Sequence, residues 1–221
     1  MYEGEIQLKP NHTPAWIPSR PIPYNMRPIF EQHIQDLKTA GVIEECKQKS
    51  LWNSPVFLVS KPHSPGKYRF VVDMRAVNLE SLPDKFQMPL IGHVADRIGG
   101  CKIYSCFDLA QGFHQVKYDE KSKPYTAFTA CGTRYWFKRL IMGHRSSGAQ
   151  FSRCITKLMS NLDFQELIFF LDDLLLGSDD VRSHISRLER VLVRFSQANM
   201  KLSPGKCALL KETGQLCRCH D

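Results

Sequence analysis

Two aspartates, Asp172 and Asp173, stand side by side in "LIFFLDDLLLGS", residues 167 to 178, the most apolar stretch of the chain. Two carboxylates about 4 Å apart repel by roughly 4 kcal/mol at an effective dielectric near 20, and partial burial adds a desolvation cost. Such a site protonates one acid or binds a cation. Hard oxygen ligands with open positions suit Mg²⁺, which keeps waters and completes its shell from substrate phosphates. A third acid, Asp108, ends the strand-like run "KIYSCFDLA". After it, Leu109 to Gly112 can turn backbone amides outward, with Gly112 easing the bend, and such a turn seats phosphate. If that strand pairs beside 167–178, three carboxylates meet a phosphate seat. Two-metal phosphoryl transfer needs this arrangement: one ion activates the attacking hydroxyl, and the other steadies the leaving pyrophosphate ~3.5–4 Å away. A second pair, Asp179-Asp180, carries no such implication. It precedes a helix, where Ser178 or either acid can cap the N-terminus.

The totals agree with a polyanionic partner. The 221 residues include 30 Lys and Arg against 22 Asp and Glu, a formal charge of +8, which favours nucleic acid but does not bear on fold. No run of 18 apolar residues suggests a membrane span. The N-terminus "MYEGEIQLKPNHTPAW" has no apolar segment of a secretory signal. Eight cysteines without framework spacing read as free thiols of an intracellular protein, in cytoplasm or nucleus.

The elements that must position the acids are legible in outline. Residues 1–25, rich in proline, read as an extended arm. "RPIFEQHIQDLKTAG" reads as a helix with Pro28 in its first turn, Phe30, Ile34 and Leu37 on one face and Gly41 at its end. "SPVFLVSK" and "KYRFVVDMR" form a hairpin, and "YTAFTACGTRYWFKRL" a second one turning at Cys131-Gly132. "PLIGHVADRIGG" is a short helix. "GAQFSRCITKLMSNL" is another, with Phe151, Ile155, Leu158, Met159 and Leu162 inward. Residues 167–178 read as strand, two-residue turn, strand. The long helix that follows carries an apolar stripe of Val181, Ile185, Leu188, Val191 and Phe195. Hairpins interleaved with helices indicate an α+β domain, its antiparallel sheet covered by helices on one face.

Several motifs in order resemble one family. Phe170 to Asp173 resembles the aromatic-x-Asp-Asp signature of reverse transcriptases. "KYRFVVDMRAVN", "GGCKIYSCFDLAQGFHQV" and the run from Phe170 through "LSPGKC" resemble segments of gypsy-type LTR retrotransposon polyproteins. The match runs from about Ile17 to Lys211. It implies a right-hand polymerase with palm and fingers: an N-terminal arm (1–25), fingers (26–84 and 119–147), palm (85–118 and 148–211) and an irregular tail (212–221). It implies an RNA-directed DNA polymerase that joins a deoxynucleotide to a primer 3′-hydroxyl using two Mg²⁺ (or Mn²⁺) ions. Asp108, Asp172 and Asp173 would hold the metals, with the Leu109 carbonyl as a further ligand. Lys61 and Arg69 would reach the triphosphate, and the amides of Gln111 and Gly112 its phosphates. Phe113 would lie under the sugar and exclude a 2′-hydroxyl, and Met142 would border the nucleotide pocket.

The implied partners are an RNA or DNA template with its primer, deoxynucleoside triphosphates, and the remaining polyprotein domains or a dimer partner; no membrane is implied. A retroelement remnant that binds nucleic acid without catalysis is the alternative. The chain departs from the family at "LIMGHRSSGAQF", where Met-Pro-Phe-Gly-Leu and Asn-Ala-Pro are usual, and after Cys207, where the family continues into a strand ending Phe-Leu-Gly-His and this chain reads "ALLKETGQLCRCHD". The thumb, connection, RNase H and integrase segments of a full polyprotein are not expected within it. "CRCH" (217 to 220) reads as tail rather than as a zinc site.

Overall fold

A computed structural model describes residues 2–62, 64–86, 99–160, 162, 167–170 and 173–212, the side chains of 169, 170 and 173 excepted. The helix expected from "PLIGHVADRIGG" and the "CRCH" tail lie outside these residues. The chain divides into two compact units, 2–84 with 116–147, and 85–115 with 148–221.

The first unit begins with an extended segment. Its prolines keep it from helix, yet it is pinned along its length. Glu3–Gly4 (β1) pairs in parallel with Lys117–Tyr118 (β6), Ile6 is buried, and Ile17 N–H donates to Asn53 O at 2.9 Å. Helix α1, Arg27–Thr39, buries Phe30 and Ile34. It stops where Gly41 takes φ +65°, a value that costs glycine little. Ile43–Glu45 (β2), Thr133–Phe137 (β8) and Phe128–Ala130 (β7) form one antiparallel sheet, and Val56–Ser60 (β3) with Tyr68–Val72 (β4) form a hairpin. Cys131 and Gly132 both have positive φ, 49° and 79°, the signature of the turn that matches strand twist. Phe70 bridges the core, with its ring centroid 5.4 Å from Phe30 and 5.6 Å from Phe128. Strand β4 ends before the expected Arg75. Asp73 takes the Arg75 guanidinium at 2.6 and 2.8 Å, and Arg75–Glu80 forms the short helix α2.

The second unit is built on a four-stranded antiparallel sheet ordered β11-β5-β10-β9, with β5 at Ile103–Asp108, β9 at Leu167–Phe170, β10 at Asp173–Ser178 and β11 at Ala208–Glu212. Helix α3, Ser147–Met159, buries Phe151, Ile155 and Met159. Helix α4, Val181–Gln197, is capped by Asp180, whose carboxylate accepts the Ser183 N–H at 2.9 Å. The apolar stripe expected on α4 needs correction at its start. Val181 and Ile185 are 54% and 50% exposed, and the fully buried residue of the first turns is His184. The ring sits inward because both its nitrogens find hydroxyl partners, which lowers the cost of burying them.

Candidate active site

Alternation along β5 decides where Asp108 points. Ser105 and Phe107 are fully buried, and Phe107 packs edge-on against Phe195 of α4, centroids 6.2 Å apart. Successive strand residues face opposite ways, so Asp108 stands on the face away from α4, its side chain 29% exposed. Strand β10 runs antiparallel beside β5 with Asp173 directly opposite Asp108. Opposed positions in such a ladder share a face and lie about 4.5–5.5 Å apart at Cα. Asp172 and the side chain of Asp173 lie outside the described residues.

Two further features bear on cation binding. Lys206 Nζ lies 3.7 Å from Asp108 Oδ2, so a positive group already stands beside this carboxylate. The bridge between Leu109 and Leu202 uses the Asp108 carbonyl, which accepts Ser203 N–H at 2.8 Å, and the Ala110 N–H, which donates to Lys201 O at 3.0 Å. It takes neither backbone group of Leu109. A hard donor set of carboxylate and carbonyl oxygens on a half-exposed strand end fits Mg²⁺ or Mn²⁺.

The turn after Asp108 differs from its sequence reading. Its bend is made by Gln111, which adopts φ +49°, and the Ala110 amide is already used, so the turn does not offer all its amides outward. Gly112 answers a packing demand instead. A Cβ there would sit 2.7 Å from Phe151 Cζ, a distance no side chain tolerates. Phe113 is half-buried and leans on the same Phe151 ring, centroids 5.1 Å apart, so core packing is part of its role. Gln115 was not singled out in the sequence, yet it organises the turn. Its amide donates to Ala110 O at 2.7 Å and Lys201 O at 2.8 Å and accepts from Lys201 N–H at 2.7 Å.

The other unit holds Lys61, Arg69 and Met142. Lys61 N–H closes the β3–β4 hairpin onto Lys67 O at 2.9 Å, and Arg69 stands opposite Val59. The ladder therefore puts Lys61, Lys67 and Arg69, all exposed, on one face of the hairpin. Lys67 was missed; its alternation with Arg69 was the signal available. Met142 is 58% exposed and precedes Gly143, which turns at φ +93°. Asn78 of α2 holds this loop. Its amide donates to Gly143 O at 2.8 Å and its carbonyl accepts the Arg145 N–H at 2.8 Å. Next to it His144 is buried. Its Nε2 contacts Ser81 Oγ at 3.1 Å, while its Nδ1 has no hydrogen-bond partner among the described residues. Burial first, and Arg145 second, push its pKa down to about 4.

The chain as a whole is similar to known proteins. Residues 59–216 match the family model described as reverse transcriptase (RNA-dependent DNA polymerase). The chain is 31% identical over 205 residues to the retrovirus-related Pol polyprotein from transposon 297 of Drosophila melanogaster, a match covering 91% of this chain and 19% of that protein. It is 26% identical over 208 residues to the corresponding polyprotein from transposon gypsy of the same fly, covering 92% of this chain and 20% of that protein. The chain thus spans about a fifth of the length of these curated relatives. Among solved structures, the foamy viral protease-reverse transcriptase in complex with RNA/DNA hybrid superposes with a TM-score of 0.80 at 27% identity, over 94% of this chain and 28% of that one. The same type of enzyme in complex with double-stranded DNA gives a TM-score of 0.78 at 28% identity, over 95% and 36%. No helix among the described residues is long and apolar enough to cross a membrane.

Proposed function

Because the chain belongs to the reverse transcriptase (RNA-dependent DNA polymerase) family, we propose that it carries out template-directed nucleotidyl transfer onto a primer. The reaction is attack of the primer 3′-hydroxyl oxygen on the α-phosphorus of a deoxynucleoside triphosphate. The new P–O bond forms as the α–β bridging bond breaks, and pyrophosphate leaves. The observation that carries this reading is the register of β5 on β10, with residue 108 opposite residue 173 at the open end of an apolar sheet.

Asp108, Asp172 and Asp173, with the Leu109 carbonyl, would hold two divalent ions, which would lower the pKa of the attacking hydroxyl and neutralise charge on the leaving group. The residues' own contributions follow from their chemistry. The carboxylates fix a concentration of negative charge that a bound cation relieves while both acids stay ionised. The Gln111 and Gly112 amides would donate to phosphate oxygens. Lys61 and Arg69 would neutralise the triphosphate, and the bidentate fork of arginine suits it. Phe113, braced by Phe151, would lie under the sugar and reject a 2′-hydroxyl. The formal charge of +8 supports a nucleic-acid backbone as the ligand. The RNA/DNA hybrid and double-stranded DNA in the neighbours' complexes support a primer–template.

Single-nucleotide incorporation on a primed RNA template, with Mg²⁺ or Mn²⁺, tests the reading. Incorporation should prefer deoxynucleotides, need the metal, and fall at least about a hundredfold in Asp108→Asn. Salt-sensitive hybrid binding without metal-dependent incorporation would make this a binding module instead.

A further inference from the structure

The proposed chemistry depends on residue 108 standing opposite residue 173, and the strands themselves encode that register weakly. A slip by one residue is opposed, because it would turn every core side chain outward. A slip by two keeps the faces and moves only the partners. Strand β10 reads "DLLLGS" and β5 "IYSCFD", and Leu174, Leu175 and Leu176 offer nearly the same apolar surface at each step. Something else must distinguish the native pairing from its neighbour two residues away.

The distinguishing element is a buried polar chain on the face of β5 opposite Asp108. Ser105, Ser178 and His184 are 0%, 1% and 0% exposed. Ser178 Oγ donates to Gly177 O at 2.6 Å, so its lone pairs receive the Nδ1–H of His184 at 3.1 Å. The neutral ring then presents Nε2 as acceptor for the Ser105 hydroxyl at 2.7 Å. Ser105 Oγ in turn accepts the Leu210 N–H at 3.1 Å, at the point where β11 slips its own register between Ala208 and Lys211. Each ring nitrogen has one partner and each hydroxyl both donates and accepts, Ser178 Oγ taking a further, longer bond from Arg187 Nη1 at 3.5 Å. The chain from Leu210 N–H to Gly177 O runs in one direction from β11 through β5 and α4 to β10. In the native ladder Ser105 faces Leu176 and Ser178 faces Ile103. A two-residue slip shifts one serine by about 7 Å relative to the other, and one imidazole can no longer reach both.

We propose that His184 is a positioning residue: by joining Ser105 of β5 to Ser178 of β10, it fixes the register that sets residue 108 opposite residue 173. The acids' joint hold on a divalent ion then depends on a side chain that touches neither of them. The inference rests on the metal-binding reading of the site, and its test separates the two.

Mn²⁺ binding to the 221-residue chain is measured by electron paramagnetic resonance, alongside cross-strand nuclear Overhauser effects between positions 108 and 173. The wild type should bind Mn²⁺ and Asp108→Asn should not; equal binding by both would overturn the metal reading itself. His184→Leu combined with Ser178→Ala removes the ring and its β10 partner together. This variant should stay folded, lose the 108–173 contact, and bind Mn²⁺ at least tenfold more weakly. Retention of both the contact and the wild-type affinity overturns the proposal and leaves His184 a filler of the core. Should the double variant unfold, His184→Gln decides. Its carboxamide can accept from Ser105 near the Nε2 position but puts no donor at the Nδ1 position facing Ser178, so Mn²⁺ affinity should fall severalfold at unchanged secondary structure, and unchanged affinity would overturn the proposal.

Discussion

His184 and His144 are both buried imidazoles, 0% and 4% exposed, and they solve the same problem differently. His184 sits in the first turns of a helix over the sheet, between two serines that occupy both its nitrogens. His144 sits in the loop after Gly143. Ser81 Oγ donates to Val77 O at 2.8 Å, so it can only accept from Nε2–H, and Nδ1 is left an acceptor with no donor among the described residues. Burial lowers the pKa of both, with Arg187 assisting at His184 and Arg145 at His144, where the value reaches about 4. A buried polar group adds specificity when each of its atoms has a duty; with one idle, it costs stability. The loop histidine stands where the sequence departs from the family pattern.

Acid should affect both sites most strongly. A folded-state pKa below the ordinary 6.5 means the unfolded chain holds the proton more tightly, so the contribution of these rings is whole above pH 6.5 and declines as pH falls below it. For His144 the fall from 6.5 to about 4, at ~1.4 kcal/mol per unit, caps the loss at ~3 kcal/mol. Urea midpoints at pH 7, 5.5 and 4.5 measure it, and a midpoint independent of pH would mean that neither ring is held neutral.

His184→Leu comes next, with an expected loss of ~1–3 kcal/mol at pH 7, because it leaves the Ser105 O–H without its acceptor and takes one donor from Ser178 Oγ, which keeps its bond to Gly177 O. Ser178→Ala should cost less in that background than it does alone, and a double-mutant cycle reads the difference. Additive losses would show that the two residues act separately. His144→Leu should have the opposite sign. It removes the idle Nδ1, leaves Ser81 its bond to Val77, and should stabilise the chain by ~1–2 kcal/mol while flattening the decline in acid. A loss of similar size would erase the contrast between the two rings. The smallest effect is expected at the cap of the helix that carries His184. Asp180→Ala should lower the thermal midpoint slightly, since it removes the acceptor for Ser183 N–H, and Asp179→Ala should leave it unchanged.

Much of this was legible from residue types. The hairpin turning at Cys131-Gly132, the helix ended by Gly41, the strand ended by Asp108 and the cap before Val181 each follow from local chemistry that the structure repeats. Three features were not legible. Gly112 reads as a bend, yet its need is a ring 39 positions later in the chain, which no local pattern reveals. His184 interrupts an apolar stripe, and a polar residue in such a stripe is read as outward unless its partners are known. Those partners, Ser105 and Ser178, come from two different strands. Lys206 lies in a motif noticed only for its order in the chain, and its proximity to Asp108 depends on the fold.

The contact between Gly112 and Phe151 can also be stated in the language of genetics. The two positions share one volume, since the ring occupies the space a side chain at 112 would need. In a library of random variants, most replacements of Gly112 should be recovered only in company with a smaller residue at 151. Such a pair would not be neutral, because Phe113 leans on the same ring. A suppressor at 151 that restores folding should loosen the residue proposed to sense the sugar, so revertants selected for stability alone would be expected to carry altered nucleotide preference.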